Sequence, residues 1–346
     1  MFNSILAPTL FADLVEGQIT LAIALVLAFQ PMLGLTGKTF ARGAVMGAGL
    51  GLAVTMAALA INASPVSLGI LIITAALMAG VAARKTPAVG VIAIALAAVL
   101  PVWVAGEDDR LFSDRSFFGL HQVLDRDGAR VYSNGTTVHG AQPLSSAPDA
   151  RPKPSAYYHP TGPMGQVLTS RLGENAQSVG VVGLGVGALA CFARPGQDWH
   201  FYEIDAMVDR VARDTSMFTF LSSCTPNAPT HLGDARVVLE DQADFAFDIL
   251  FLDAYSSDAV PVHLTTREAL ALYLDRLTPN GVVVFHISNR YYDIGLPLAR
   301  SAEALGVHIW RQLHNERPRD AEGFRPSDVV IIAQDPADVA PLLESG

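Results

Sequence analysis

Charged side chains are nearly missing from the first third of the chain. Before Glu107 only Asp13, Glu16, Lys38, Arg42, Arg84 and Lys85 carry charge, and they bracket uncharged runs at 17–37, 43–83 and 86–106. A helix needs about 20 apolar residues to cross the hydrocarbon core, so these runs predict one, two and one membrane spans. The middle run breaks at Asn62-Ala-Ser-Pro65, which places four expected helices near 19–36, 44–62, 67–83 and 88–105. Gly and Ala dominate the second of them, as suits close helix packing in lipid. No ionisable residue falls inside any span, so an ion or proton pathway is not expected and an anchor is. The first run lacks a basic leader and is followed by three more apolar segments, unlike a cleavable signal peptide.

Beyond residue 106 the periodicity changes. Leu120–Leu124 and Ala129–Tyr132 flank Asp125-Arg-Asp-Gly128 and read as a hairpin, because Asp-Gly is a strong turn signal. Pro143–Pro154 reads as a loop. From Ser178 onward short apolar strands at 179–182, 200–204, 249–252, 282–286, 308–313 and 329–333 alternate with helical stretches at 188–194, 206–215, 265–277 and 296–305. Buried strands alternating with helices predict a mostly parallel, doubly wound α/β sheet. The expected organisation is a membrane region over 1–105, a small β hairpin domain and linker over 106–176, and a methyltransferase-like Rossmann domain over 177–346.

Charge sharpens this picture. The chain of 346 residues has net charge −10, and the part beyond residue 105 carries −12. An acidic segment of that kind is a poor partner for nucleic acid, which asks for a basic face. Nine histidines are scattered without metal-ligand spacing, and two cysteines, Cys191 and Cys224, offer no disulfide framework. A reduced, buried role is expected for both cysteines, and no metal is expected.

The chemistry gathers at the ends of the predicted strands. Strand 179–182 runs into Gly183-Leu-Gly185-Val-Gly187-Ala188, a glycine turn of the kind that lets backbone N–H groups approach a ligand. Glu203 ends the next strand, where a carboxylate can accept both ribose hydroxyls of an adenosine-containing ligand. Asp234 in Gly233-Asp-Ala235 can take an adenine amino group, and Asp253 ends the fourth strand in Leu252-Asp-Ala-Tyr-Ser-Ser-Asp258. Ligands in open α/β sheets bind at the carboxyl ends of strands, so these acids should share one crevice. Successive carboxylates suit a cationic sulfonium and an amine better than an anionic dinucleotide. Asp253 and Asp258 could hold an ammonium and take its proton before it attacks carbon, and they also have a plain reading as helix caps. His286 and Asn289, past the fifth strand, have a cleft role or simple packing as equal readings.

These motifs, with Phe201-Tyr-Glu-Ile-Asp205, Val284-Phe-His-Ile-Ser-Asn289, Arg115-Ser-Phe-Phe-Gly119, Asn134-Gly-Thr-Thr-Val-His-Gly-Ala-Gln142 and Tyr157-Tyr-His-Pro-Thr-Gly162, resemble the membrane-fused spermidine synthase-like proteins of bacteria over about 115–334. The resemblance implies aminopropyl transfer from decarboxylated S-adenosylmethionine, or use of S-adenosylmethionine itself as co-substrate, to a polyamine such as putrescine. It implies that Gly183, Gly185, Gly187, Glu203 and Asp234 bind the donor and that Asp253, with Asp258 nearby, is the base. Gln142, Tyr158 and His159 would line the cleft. The chain departs from polyamine synthases proper at Val186, where an Asp usually holds the aminopropyl ammonium, and at Ala259, where Pro is usual. An S-adenosylmethionine-dependent methyltransferase and a non-catalytic adenosyl-ligand-binding membrane protein are the alternatives. The expected partners are a small amine, the membrane and a second copy of the chain in a homodimer. The membrane segment is short for this family, and the first residues look like the interior of a longer relative's membrane region. The expected location is a multi-pass place in the bacterial inner membrane with the soluble domain cytoplasmic, where adenosyl donors are made. Lys38, Arg42, Arg84 and Lys85 pull the other way by the positive-inside rule.

Overall fold

The structure is a computed structural model that describes Ala24 and residues 36–60, 65–82, 84–104, 110–135, 137–144, 151–242, 244–255, 260–288, 292–314 and 325–343. The chain divides into two compact units, Met1–Asp108 and Asp109–Gly346. Among the described residues of the first unit three helices follow one another, α1 (Gly37–Ala60), α2 (Pro65–Ala82) and α3 (Pro87–Val104). Pro65 and Pro87 each open a helix, the position where a missing N–H costs nothing. A Cβ on Gly47 would lie 2.9 Å from the Ala93 Cα, so the small residues of α1 are what let α3 approach.

The expected span at 19–36 lies outside the described residues. Among the described residues one helix, Gly37–Ala58, is long and apolar enough to cross a membrane, while Ile70–Ala82 and Pro87–Leu96 are shorter apolar stretches. Four full spans are therefore more than the described residues supply. α2 and α3 have 18 residues each, the low end of what a crossing needs.

The second unit opens with β1 (Arg110–Ser116), β2 (Gly119–Arg126), β3 (Ala129–Asn134) and β4 (Thr137–Pro143), an antiparallel sheet in that order. The predicted hairpin is β2–β3, with Arg126 paired to Ala129 across the turn. The outer strands were not evident in the sequence, because neither alternates cleanly between buried and exposed positions.

Two short helices, α4 (Pro163–Thr169) and α5 (Arg171–Asn175), lead to β5 (Ser178–Val182). Then follow β6 (Asp198–Glu203), α6 (Ala206–Arg213), α7 (Phe220–Cys224), β7 (Thr230–Leu232), α8 (Ala235–Asp241), β8 (Phe247–Leu252), α9 (Arg267–Asp275), β9 (Leu277–His286), α10 (Gly295–Leu305), β10 (His308–His314), β11 (Ser327–Ala333) and α11 (Ala340–Leu343). The sheet order is β10-β11-β9-β8-β5-β6-β7, with five parallel strands from β9 to β7 and antiparallel pairings of β11 with β9 and β10. Val179, Val181, Ile249, Phe251, Val282 and Val284 bury on one face, while Val182, Leu250, Leu252, Val283 and Phe285 bury on the other. The near-continuous apolar strands follow from this cover on both faces. The chain winds from β5 out to β7 and returns to β8 on the other side of β5. That reversal opens a crevice at the carboxyl ends of the strands.

Two expectations are corrected here. The stretch 188–194 is a short 3₁₀ turn, Ala188–Phe192, in place of a full helix. Cys191 and Cys224, read as reduced, form a disulfide that spans 33 positions, with their Cα atoms 4.9 Å apart. Their spacing along the chain held no hint of this, because the pairing depends on the 3₁₀ turn packing against α7.

Candidate adenosyl and amine site

A cleft of about 1370 Å³ lies at those strand ends, lined by residues from both sheets of the second unit. Its floor begins at the glycine turn after β5. Gly183 has φ +93°, and a Cβ there would stand 2.3 Å from the Asp253 carbonyl oxygen. Gly185 has φ +53° and would press a Cβ to within 2.6 Å of the His139 carbonyl oxygen. Only glycine fits both the left-handed backbone and these approaches. Gly187 is left-handed too, but it packs against Leu221 and does not line the cleft.

Glu203 ends β6 with 9% of its surface exposed. Its Oε2 accepts the Leu184 N–H at 3.0 Å and its Oε1 the Asp205 N–H at 3.0 Å. Each oxygen keeps lone-pair capacity, so the carboxylate is oriented and could accept two hydroxyls. Burial raises its pKa, and the backbone N–H groups of Leu184 and Asp205 offset only part of that rise.

Asp205 is a buried junction between the two sheets. Its Oδ1 caps α6 by accepting the Met207 N–H at 2.9 Å, and its Oδ2 accepts the Ser116 hydroxyl at 2.5 Å. The His121 Nε2 also lies 3.0 Å from Oδ2, and the His121 Nδ1 is 2.7 Å from the Tyr132 hydroxyl. Burial pushes the Asp205 pKa up, but the hydrogen bonds from His121, Ser116 and Met207 outweigh it and hold the carboxyl below its ordinary value. None of Ser116, His121 and Tyr132 was singled out in the sequence, because their partners lie on a different sheet.

Asp234 lines the cleft at the start of α8. One oxygen accepts the Arg236 N–H at 2.9 Å and the other lies 3.1 Å from the His263 Nε2. Beyond it, Asp253 is almost fully enclosed, with a side chain 6% exposed. The Tyr158 hydroxyl donates to its Oδ2 at 2.7 Å, and the His286 Nδ1 is 2.6 Å from its Oδ1. The Asp328 N–H donates to the Ser288 Oγ at 2.8 Å, that Oγ lies 2.9 Å from the His286 Nε2, and the Asp253 carboxylate on the other side of the ring can only accept. That network assigns the proton of His286 to Nδ1, aimed at Asp253. Tyr157 and Tyr255 enclose the imidazole, with ring centroids 5.3 and 5.1 Å away. Burial and the Asp253 charge raise the Tyr158 pKa far above its ordinary value, so it is a hydrogen-bond donor here and not a base.

Of the residues singled out in the sequence, Gly183, Gly185, Glu203, Asp234, Asp253 and Tyr158 line this one cleft. Asp258 and Asn289 lie outside the described residues. Gln142 and His159 do not line the cleft. Gln142 closes a pair of hydrogen bonds with Thr219, at 2.9 Å each, and His159 bonds the Thr161 hydroxyl at 2.8 Å. Val186 is 1% exposed and sits where a Cβ on Gly140 would meet it at 2.3 Å, so it packs into the core and away from the cleft.

No family model matches the chain. It is 32% identical over 120 residues to a polyamine aminopropyltransferase of Vibrio vulnificus, a match covering 33% of this chain and 39% of that protein. The match thus spans about two fifths of the relative's length. Among solved structures, a spermidine synthase in complex with the transition-state analogue AdoDATO aligns over 68% of this chain and 75% of its own, at 15% identity and a TM-score of 0.47. An O-methyltransferase from Klebsiella pneumoniae aligns over 49% of this chain and 78% of its own, at 16% identity and a TM-score of 0.36. Over those 120 residues the chain is similar to a polyamine aminopropyltransferase, in the same direction as the ordered motifs.

Proposed function

We propose that the second unit transfers an alkyl group, an aminopropyl group foremost, from an adenosyl sulfonium donor to a small primary amine. The observation that carries this reading is Asp253. It is a buried carboxylate fixed on one side by Tyr158 and on the other by His286, at the point where the crevice passes from the donor half to the far strands. A primary ammonium has a pKa near 10 and must lose a proton before its lone pair can attack carbon. In this reading Glu203 holds the ribose, Asp234 the adenine amino group and the glycine turn the donor's backbone-facing edge. Asp253 accepts the ammonium proton, the amine nitrogen attacks the carbon beside sulfur, and the C–S electrons leave on sulfur as a neutral thioether. Positioning supplies most of the acceleration, since the sulfonium is already activated. Sequence similarity to a polyamine aminopropyltransferase supports the same chemistry.

A second reading, methyl transfer from S-adenosylmethionine, is favoured by one observation. Val186 offers no carboxylate to an aminopropyl ammonium and is buried against Gly140. Mass spectrometry separates the two. With decarboxylated S-adenosylmethionine and a primary amine, aminopropyl transfer yields methylthioadenosine. Turnover of S-adenosylmethionine alone, to S-adenosylhomocysteine, would overturn it in favour of methyl transfer.

We further propose that α1 attaches the protein to a membrane. A donor made in the cytosol requires the α/β unit on that side, so a reporter fused after Gly106 should give a cytoplasmic signal; an external signal would contradict this placement. Cystines are uncommon in that compartment, so the thiol state of Cys191 and Cys224 in freshly lysed cells probes the same question.

A further inference from the structure

We propose that the acceptor amine carries a carboxylate at its far end, held by Ser327 and Arg325, in place of the second ammonium of a diamine. The inference rests on the transfer reading above and narrows its acceptor.

Side chains two apart on a strand share a face. Ile249 and Phe251 of β8, Val282 and Val284 of β9, and Val329 and Ile331 of β11 all bury on one face. Asp253, His286 and Ser327 continue those three rows at the strand ends, and all three line the cleft. Val329 pairs with His286 across β11 and β9, so Ser327 stands one step nearer the cleft mouth on the same face. Ser327 is 2% exposed, yet its Oγ has no hydrogen-bond partner among the described residues. A buried hydroxyl left unmet is costly, which makes Ser327 a group awaiting a partner.

Charge gives that partner its sign. Arg325 lines the cleft beside Ser327, held there through its backbone N–H to the Ala156 carbonyl at 3.2 Å. No carboxylate among the described residues pairs with its guanidinium. The acids at this end, Asp293 and Asp328, are both claimed by Arg311, at 3.1 Å and at 2.6 and 3.0 Å. A second ammonium arriving here would find a hydroxyl and a cation, whereas a carboxylate would find two donors. The span fits as well. Strands lie about 4.8 Å apart, so β8 to β11 across β9 is roughly 10 Å. A four-carbon chain of about 6 Å with a hydrogen bond of about 3 Å at each end covers that distance.

The test compares 4-aminobutyrate with putrescine as acceptors for the detergent-purified full chain and decarboxylated S-adenosylmethionine. The expected kcat/KM favours 4-aminobutyrate by at least about tenfold, the worth of one charge-assisted hydrogen bond. Arg325→Glu should shift the ratio toward putrescine by about tenfold or more, and Ser327→Ala should lower only the 4-aminobutyrate value, both with methylthioadenosine affinity unchanged. Preference for putrescine in the unmodified protein, or a ratio that Arg325→Glu leaves unmoved, overturns the assignment. If neither amine yields methylthioadenosine, the transfer reading fails by itself. Thermal shifts with methylthioadenosine present then rank the two amines: greater stabilisation by 4-aminobutyrate upholds the carboxylate pocket, and equal or greater stabilisation by putrescine overturns it.

Discussion

Replacing Asp253 by Asn separates a base from a structural acid at nearly constant volume. The Asn oxygen still accepts the His286 Nδ1–H, but its amide NH₂ now faces the Tyr158 hydroxyl that donated at 2.7 Å. Tyr158 must turn to accept, and one charge-assisted hydrogen bond worth about 1.5–3 kcal/mol is lost. For a unit of this size that lowers the melting temperature by roughly 3–12 °C, a shift that leaves a folded protein. Catalysis should suffer far more. Loss of a general base costs about 10²–10⁴ in rate, or roughly 3–5 kcal/mol of barrier. Donor affinity should stay within about threefold, because Glu203 at the end of β6 and Asp234 at the start of α8 stand on other elements and keep their own contacts. Single-turnover rates, calorimetric titration with methylthioadenosine and a melting curve measure the three quantities on one preparation. A variant that is folded, binds methylthioadenosine normally and keeps more than about a tenth of the rate would refute the role given to Asp253.

The Glu203 pKa is raised, so between its unfolded value and its folded value the native state holds the extra proton, and the empty protein loses stability as pH rises through that window. Ribose hydroxyls need the ionised form, so methylthioadenosine affinity should weaken as pH falls through the raised value. Glu203→Gln should bind about 10–100-fold more weakly and lose that slope, and an unchanged slope in the variant would contradict the assignment. Asp205 has the opposite sign, its lowered pKa contributing stability that is present above its ordinary value and is lost as pH falls through the folded value. His121→Ala should move acid unfolding to higher pH and strand the buried Tyr132 hydroxyl, costing about 2–4 kcal/mol by denaturant titration. Cys191→Ser should cost about 3–4 kcal/mol by the same measure, since it releases a closed loop spanning 33 positions. A Cys191→Ser variant as stable as the parent would show the two sulfurs unbonded.

Much of this molecule was legible in its sequence. Val179–Val182 and Ile249–Leu252 betrayed buried parallel strands because cover on both faces leaves no polar position. The same rule that puts ligands at strand ends located Glu203, Asp234 and Asp253 together. Features that depend on contacts between distant elements stayed hidden. The His121–Asp205 junction joins residues 84 positions apart, and Ser327 gains its meaning only from the pairing of β11 with β9. Gln142 and His159 had the right residue types for a cleft, but Gln142 bonds Thr219, 77 positions away, and the His159 Nδ1 bonds the neighbouring Thr161 hydroxyl. Among the described residues the helices Gly37–Ala60, Pro65–Ala82 and Pro87–Val104 overlap three of the expected spans, and one of them is long and apolar enough to cross a membrane.

The central claim is that a carbon chain moves from sulfur to an amine nitrogen beside Asp253. Decarboxylated S-adenosylmethionine labelled with ¹³C in its aminopropyl group tests it directly, by following the label in the presence of the unmodified protein and a primary amine. Label appearing on the amine in equal amount to methylthioadenosine, and lost with Asp253→Asn, is the predicted result. Label remaining wholly on the donor while the protein binds methylthioadenosine would contradict the account.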